Sequence, residues 1–120
     1  MPNEKNVLGK PLKLCCGNTG FTREGFCYVP SSDHGNHSVC AIVTQDFLEF
    51  SKSRGNDLST PMPQYQFAGL KVGDKWCLCA ARWQEAFNAN CAPQIVLSAT
   101  NQACLRIIKL EDLKSHSIPE

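Results

Sequence analysis

The stretch Trp76-Cys77-Leu78-Cys79-Ala80, running directly into Ala81-Arg82-Trp83-Gln84-Glu85-Ala86-Phe87, constrains this chain more than any other. An apolar β-like run passes into a helical period, with Trp83, Ala86 and Phe87 at spacings of three and four. No turn residue separates the two, so a buried strand must abut a helix. Side chains alternate along a strand. Cys77 and Cys79 are therefore expected on one face, and Trp76, Leu78 and Ala80 on the other. Cys79 would lie beside a helix amino terminus, whose dipole favours a thiolate. That position makes Cys79 the candidate nucleophile.

The same reasoning orders the rest of the chain. Ser38 to Val43 is apolar and β-rich, so a second buried strand is expected there. Thr44 is suited to cap a following helix, and Val43 and Leu48 stand at the positions of a hydrophobic staple. Residues 95–99 and 104–109 read as further strands. Helices are expected near 45–54 and 81–90, with a short closing helix from Leu110 to about His116. The fold class that follows is α+β. It is a single small domain whose mixed or antiparallel sheet of about four strands is covered by two or three helices. Residues 1–10 read as a flexible N-terminal tail and 11–120 as one cysteine-rich domain.

Composition removes several function classes. With 120 residues the chain is long enough for one core. A net charge of +1 and no Lys/Arg run give no nucleic-acid signature. The longest apolar runs fall far short of a membrane helix, and the first residues lack the pattern of a signal peptide. The expected location is cytoplasmic, where the 8 cysteines would be reduced rather than bridged.

Chemistry then rests on the cysteines. His37-x-x-Cys40 at the mouth of the first strand has a spacing that can chelate zinc. The chain has no Cys-x-x-Cys, so this is not a zinc-finger pattern. Strands 38–43 and 76–80 are the best candidates for the sheet centre, so His37, Cys40, Cys77 and Cys79 are expected to cluster and are the candidate metal ligands, for Zn or Cu. Cys15 or Cys27 would add a thiol from the turn-rich segment. Cys91 and Cys104 read as core filling, and Cys16 points away from Cys15 in extended chain. In the loop 55–63, Asn56, Asp57, Ser59 and Thr60 can either organise an Asx or Ser/Thr turn or bind a ligand.

The blocks Asn6-Val7-Leu8-Gly9, Thr19-Gly20-Phe21, His37-x-Val39-Cys40-Ala41, Gly55-Asn56-Asp57-Leu58-Ser59-Thr60-Pro61 and Gly69 through Trp76-Cys77-Leu78-Cys79-Ala80 to Arg82-Trp83 resemble the family catalogued as domain of unknown function 2237. The resemblance implies a single-domain, bacterial-type protein and supplies no activity. It places Cys15, Cys27, His37, Cys40, Cys77 and Cys79 at positions where the family pattern has Cys or His. Cys16, Cys91 and Cys104 look particular to this chain.

Three readings stand at this point. The first is a small cytosolic cysteine-rich module that binds a metal ion or small ligand through a Cys/His cluster. The second is a Cys-dependent enzyme or thiol redox protein. The third is a structural or interaction domain whose cysteines fill the core. Enzyme status and partners are open on the sequence.

Overall fold

Hydrogen-bonded pairing of the two buried apolar runs sets the architecture of the computed structural model, which describes residues 4–17, 19–20, 22–65 and 69–120. Val39–Ile42 forms β1, Lys75–Leu78 forms β2 and Gln94–Ile95 forms β3, in the order β2-β1-β3. Both pairings are antiparallel, and the β1–β2 register sets Cys40 opposite Cys77 and Ala41 opposite Trp76. Three helices cover the sheet: α1 over Gln45–Ser53, α2 over Ala80–Asn88 and α3 over Leu110–Ser115. The fold is thus a small α+β domain with an antiparallel sheet of three strands. Among the described residues, no helix is long and apolar enough to cross a membrane.

Alternation along β1 splits the interior into two layers. Val39 and Ala41 join Leu78, Phe47, Trp83, Ala86, Ile95 and Leu113 in a core beneath the helices. Burying Phe47 alone is worth about 1.5–3 kcal/mol. Cys40 and Cys77 face the other way, with Cys15, Cys27, Val96 and Ala99. The caps follow from local chemistry. Thr44 Oγ1 accepts from Phe47 N at 3.1 Å. Trp83 is fully buried and donates its Nε1–H to Pro93 O at 3.1 Å.

Several expectations are corrected. Of the expected strand 95–99 only Ile95 is strand, as the end of β3, because the chain turns into 3-10 helix at Leu97–Ala99. The sheet is still satisfied there, as Thr100 Oγ1 accepts from Cys40 N at 3.2 Å and Asn101 N donates to Ser38 O at 2.8 Å. The expected strand 104–109 is instead 3-10 helix over Gln102–Arg106, capped by the Asn101 side chain on Ala103 N. Its buried residues are Cys104 and Ile108, four apart, while Leu105 and Ile107 are exposed. That is a helical spacing, hidden in the sequence by the apolar Leu105 and Ile107 on either side of Arg106. Strand β2 stops at Leu78, and Cys79 is the N-cap of α2 rather than a strand residue.

The segment 4–10 is not a loose tail. Asn6 and Val7 are buried, and Asn6 Oδ1 accepts from Leu8 N and Lys10 N while Val7 N donates to Thr100 O. A polar sequence is held here because its backbone finds partners on the 98–101 segment. In the connection 55–75, Phe67 and Leu70 are the apolar residues expected to pin the second half; Phe67 lies outside the described residues, and Leu70 is buried and donates its N–H to Leu58 O at 2.7 Å.

Candidate functional site

The polar loop before β1 is shaped by one carboxylate. Asp33 is held by a turn in which its N–H donates to Pro30 O at 2.9 Å. Asp33 Oδ2 accepts from His37 N at 2.9 Å, and Oδ1 sits 2.7 Å from His37 Nδ1. A carboxylate only accepts, so Nδ1 carries the proton and donates it. The Asp33 side chain is wholly buried, whereas that of His37 is 33% exposed. Asn36, between them, adopts a left-handed φ of 52° and accepts at its backbone O from Ala80 N at 2.9 Å. That bond clips the loop onto the first residue of α2. Gly35 lies flat against the ring, where an added Cβ would stand 2.7 Å from His37 Cε1.

The clip brings His37 to Cys79. The Cys79 side chain lies within hydrogen-bonding reach of the imidazole and is the main reason its pKa is raised from 6.5 to about 9. Burial opposes the rise, and the Cys79 charge and the Asp33 carboxylate add to it. Cys79 is a partly exposed free thiol at the N-cap of α2, with no side-chain cap bond. The first-turn N–H groups of a helix have no intrahelical acceptor, and in α2 the first of them, Ala80 N, is taken by Asn36 O. A thiol, an imidazole and a buried carboxylate thus stand in sequence, the first two partly open to solvent and the third closed to it.

The remaining sequence-nominated cysteines form a separate site. Cys15 is bonded to Cys40, and Cys27 to Cys77. This corrects the expectation of reduced cysteines. The β1–β2 register puts Cys40 beside Cys77, and the turn-rich segment sets Cys15 and Cys27 over them at Cα separations of 5.7 and 5.3 Å, the range that bridging requires. All four are nearly inaccessible. Thr19 Oγ1 lies 3.5 Å from Cys77 Sγ. The Sγ atoms of Cys15, Cys27 and Cys77 lie within 4.8 Å of one another, so this cysteine-rich module has a cluster geometrically able to coordinate a metal. Disulfide sulfurs are not thiolate donors, so the donor set fits an ion only when the pairs are reduced.

The expected single cluster of His37, Cys40, Cys77 and Cys79 is therefore divided between two places. Cys40 and Cys77 go to the sulfur layer with Cys15 and Cys27, while His37 and Cys79 meet at the rim. The free thiols Cys16, Cys91 and Cys104 take no part, and burial pushes Cys104 up to about 12. In the 55–63 loop the Asp57 carboxylate accepts from Ser59 N, Ser59 Oγ, Thr60 N and Thr60 Oγ1. Those bonds hold Asp57 down at about 2. Asn56 O accepts from Ser51 Oγ at 2.6 Å. These polar groups are spent on the loop's own backbone and the end of α1.

Asp33 was not singled out in the sequence. Its signal is the Asp33-x-x-x-His37 spacing in a loop ending at a strand, which lets a carboxylate reach both the backbone and the ring of the same histidine. A comparison with curated proteins finds no match. The family model described as an uncharacterised protein conserved in bacteria, DUF2237, matches residues 5–117, and the chain belongs to that family.

Proposed function

We propose that the protein is a cysteine-dependent enzyme that acts on an activated acyl substrate through Cys79. The observation that carries this reading is the continuous relay from the Cys79 thiol to His37 and on to the buried Asp33. Asp33 is a positioning residue that holds the ring and its Nδ1 proton. His37 is then oriented to accept the thiol proton on its other nitrogen. The sulfur attacks the carbonyl carbon, and negative charge develops on the carbonyl oxygen. The N–H groups of Ala81 and Arg82, in the first turn of α2, would receive it. Collapse expels the leaving group, which takes the proton back from His37 and leaves a thioester on Cys79. Water then hydrolyses the thioester, with His37 again accepting a proton.

The test uses iodoacetamide and p-nitrophenyl acetate. Cys79 should alkylate at least about tenfold faster than Cys16 or Cys91, and the ester should leave an acetyl group on Cys79 detectable by mass spectrometry. His37→Gln should abolish both effects. Equal alkylation of Cys79, Cys16 and Cys91, or acetylation that survives His37→Gln, would overturn the reading.

A second reading has its own observation, the mutual approach of the Cys15, Cys27 and Cys77 sulfurs. Reduced, these soft donors would take a thiophilic ion, zinc or copper. The cytosol is the proposed location, and its glutathione pool would allow such reduction.

A further inference from the structure

We infer that Cys15, Cys27, Cys40 and Cys77 form a redox-controlled zinc site, which holds one Zn²⁺ when reduced and the two observed disulfides when oxidised. This rests on the metal reading above and extends it to the fourth ligand, the choice of ion and the release step. Cys40 becomes the fourth ligand by position. It is bonded to Cys15 and stands opposite Cys77 in the β1–β2 register, so its sulfur belongs to the same layer as the other three.

The geometry favours a closed tetrahedral site. Zinc–thiolate bonds of about 2.3 Å place sulfurs about 3.8 Å apart along a tetrahedron's edges. Three of the sulfurs already lie within 4.8 Å of one another, so they need to move by about 1 Å or less. Each bonded pair must part by under about 2 Å. The strands can stay in register during this change, because Cys15 and Cys27 are carried by turns that can give. Cys15 N and Cys16 N both donate to Gly25 O, so that segment moves as one turn over the strands.

The chemistry of the layer points the same way. Cys27 and Cys40 are fully buried and Cys77 and Cys15 nearly so. Among the described residues, Thr19 Oγ1 is the polar side-chain partner recorded for any of these sulfurs. Four reduced cysteines here could not ionise without a cation. A d¹⁰ ion that accepts a tetrahedral four-sulfur shell and needs no open position suits a site closed to water. The occupant is thus structural zinc, not a catalytic metal with a bound water.

The exchange balances with a low-molecular-weight disulfide as oxidant. One Zn(S-Cys)₄²⁻ centre and two RSSR give two protein disulfides, Zn²⁺ and four RS⁻. Four cysteine sulfurs are oxidised, each RSSR gains two electrons, and its S–S bond breaks as a protein S–S bond forms.

The experiment uses full-length protein without an affinity tag, reduced, freed of reductant and loaded with zinc chloride or cobalt chloride. The expected result is about one zinc per chain by a chromophoric chelator, with cobalt giving the strong thiolate charge-transfer bands of a tetrahedral four-sulfur site. Oxidised glutathione should then release the zinc, with about four thiols lost per ion. Cys40→Ser and, separately, Cys15→Ser should weaken zinc binding at least about tenfold, while Cys91→Ser leaves it unchanged. Absence of both zinc and copper(I) binding by the reduced protein would overturn this inference together with the metal reading. Zinc binding without release by oxidised glutathione, or undiminished in both Cys40→Ser and Cys15→Ser, would overturn this inference and leave the metal reading standing. Binding of copper(I) but not zinc would do the same.

Discussion

Replacing Cys79 by Ser tests the relay at its hinge, because the structure ranks what holds the proton on His37. The imidazole pKa is raised from 6.5 to about 9, most of all by the Cys79 hydrogen bond, then by the Cys79 charge, and then by Asp33. A serine keeps a hydrogen-bonding oxygen but supplies neither the sulfur's hydrogen bond nor its charge. The His37 pKa should therefore fall most of the way back towards 6.5 in Cys79→Ser, and by a smaller amount in Asp33→Asn. A histidine whose folded pKa is raised stabilises the fold fully below the unfolded value, and that contribution is lost as pH rises through about 9. At full strength such a shift would be worth about 3 kcal/mol. One-third of the side chain is in water, so screening brings the expected figure to about 1–2 kcal/mol. Proton NMR of the His37 ring from pH 5 to 10, with urea unfolding at several pH values in the same range, measures both quantities. Wild-type stability should decline between pH 6.5 and about 9 by that amount more than the stability of Cys79→Ser. A wild-type His37 that titrates at or below 6.5 would refute the argument. So would a larger fall in Asp33→Asn than in Cys79→Ser, because it would make the carboxylate rather than the thiol the dominant partner.

Three further outcomes are expected. Gly35→Ala should leave the unfolding midpoint within about 1 kcal/mol of wild type yet slow Cys79 alkylation, since a methyl group 2.7 Å from His37 Cε1 must displace the ring from the sulfur; an unchanged alkylation rate would show that the ring position does not matter. Thr44→Ala removes the 3.1 Å cap on Phe47 N and should cost about 1 kcal/mol in urea unfolding, with no effect on Cys79 reactivity. The Asp57 carboxylate should titrate at about 2 by NMR, so that its four hydrogen bonds persist below the ordinary carboxylate pKa and open only as pH falls through about 2; Asp57→Ala should increase amide hydrogen exchange at Ser59 and Thr60.

Local chemistry made much of this protein legible in its sequence. Thr44 predicts the start of α1 because a hydroxyl before an apolar helical period can reach a free N–H within one turn. The apolar runs around Cys40 and Cys77 predict central strands, and their side-by-side pairing follows once both are buried. The abutment at Cys79 predicts a thiol at a helix start because no loop residue intervenes. Other features were decided only by tertiary structure. The run Leu105-Arg106-Ile107-Ile108 is equally compatible with strand or helix, and it became a 3-10 turn because Asn101 capped it and Cys104 and Ile108 found the core. The bridging of Cys15 to Cys40 and Cys27 to Cys77 depends on where a turn lands over the sheet. The separation of Cys77 from Cys79 turns on a strand that ends at Leu78, two residues before its expected end. The approach of His37 to Cys79 needs Asn36 O to bond Ala80 N, a contact between residues 44 apart in the chain. Periodicity and capping act over a few residues, so a sequence displays them directly. The pairing of sulfurs and the relay through Asp33 depend on distances across the fold, which are set only when every layer has packed.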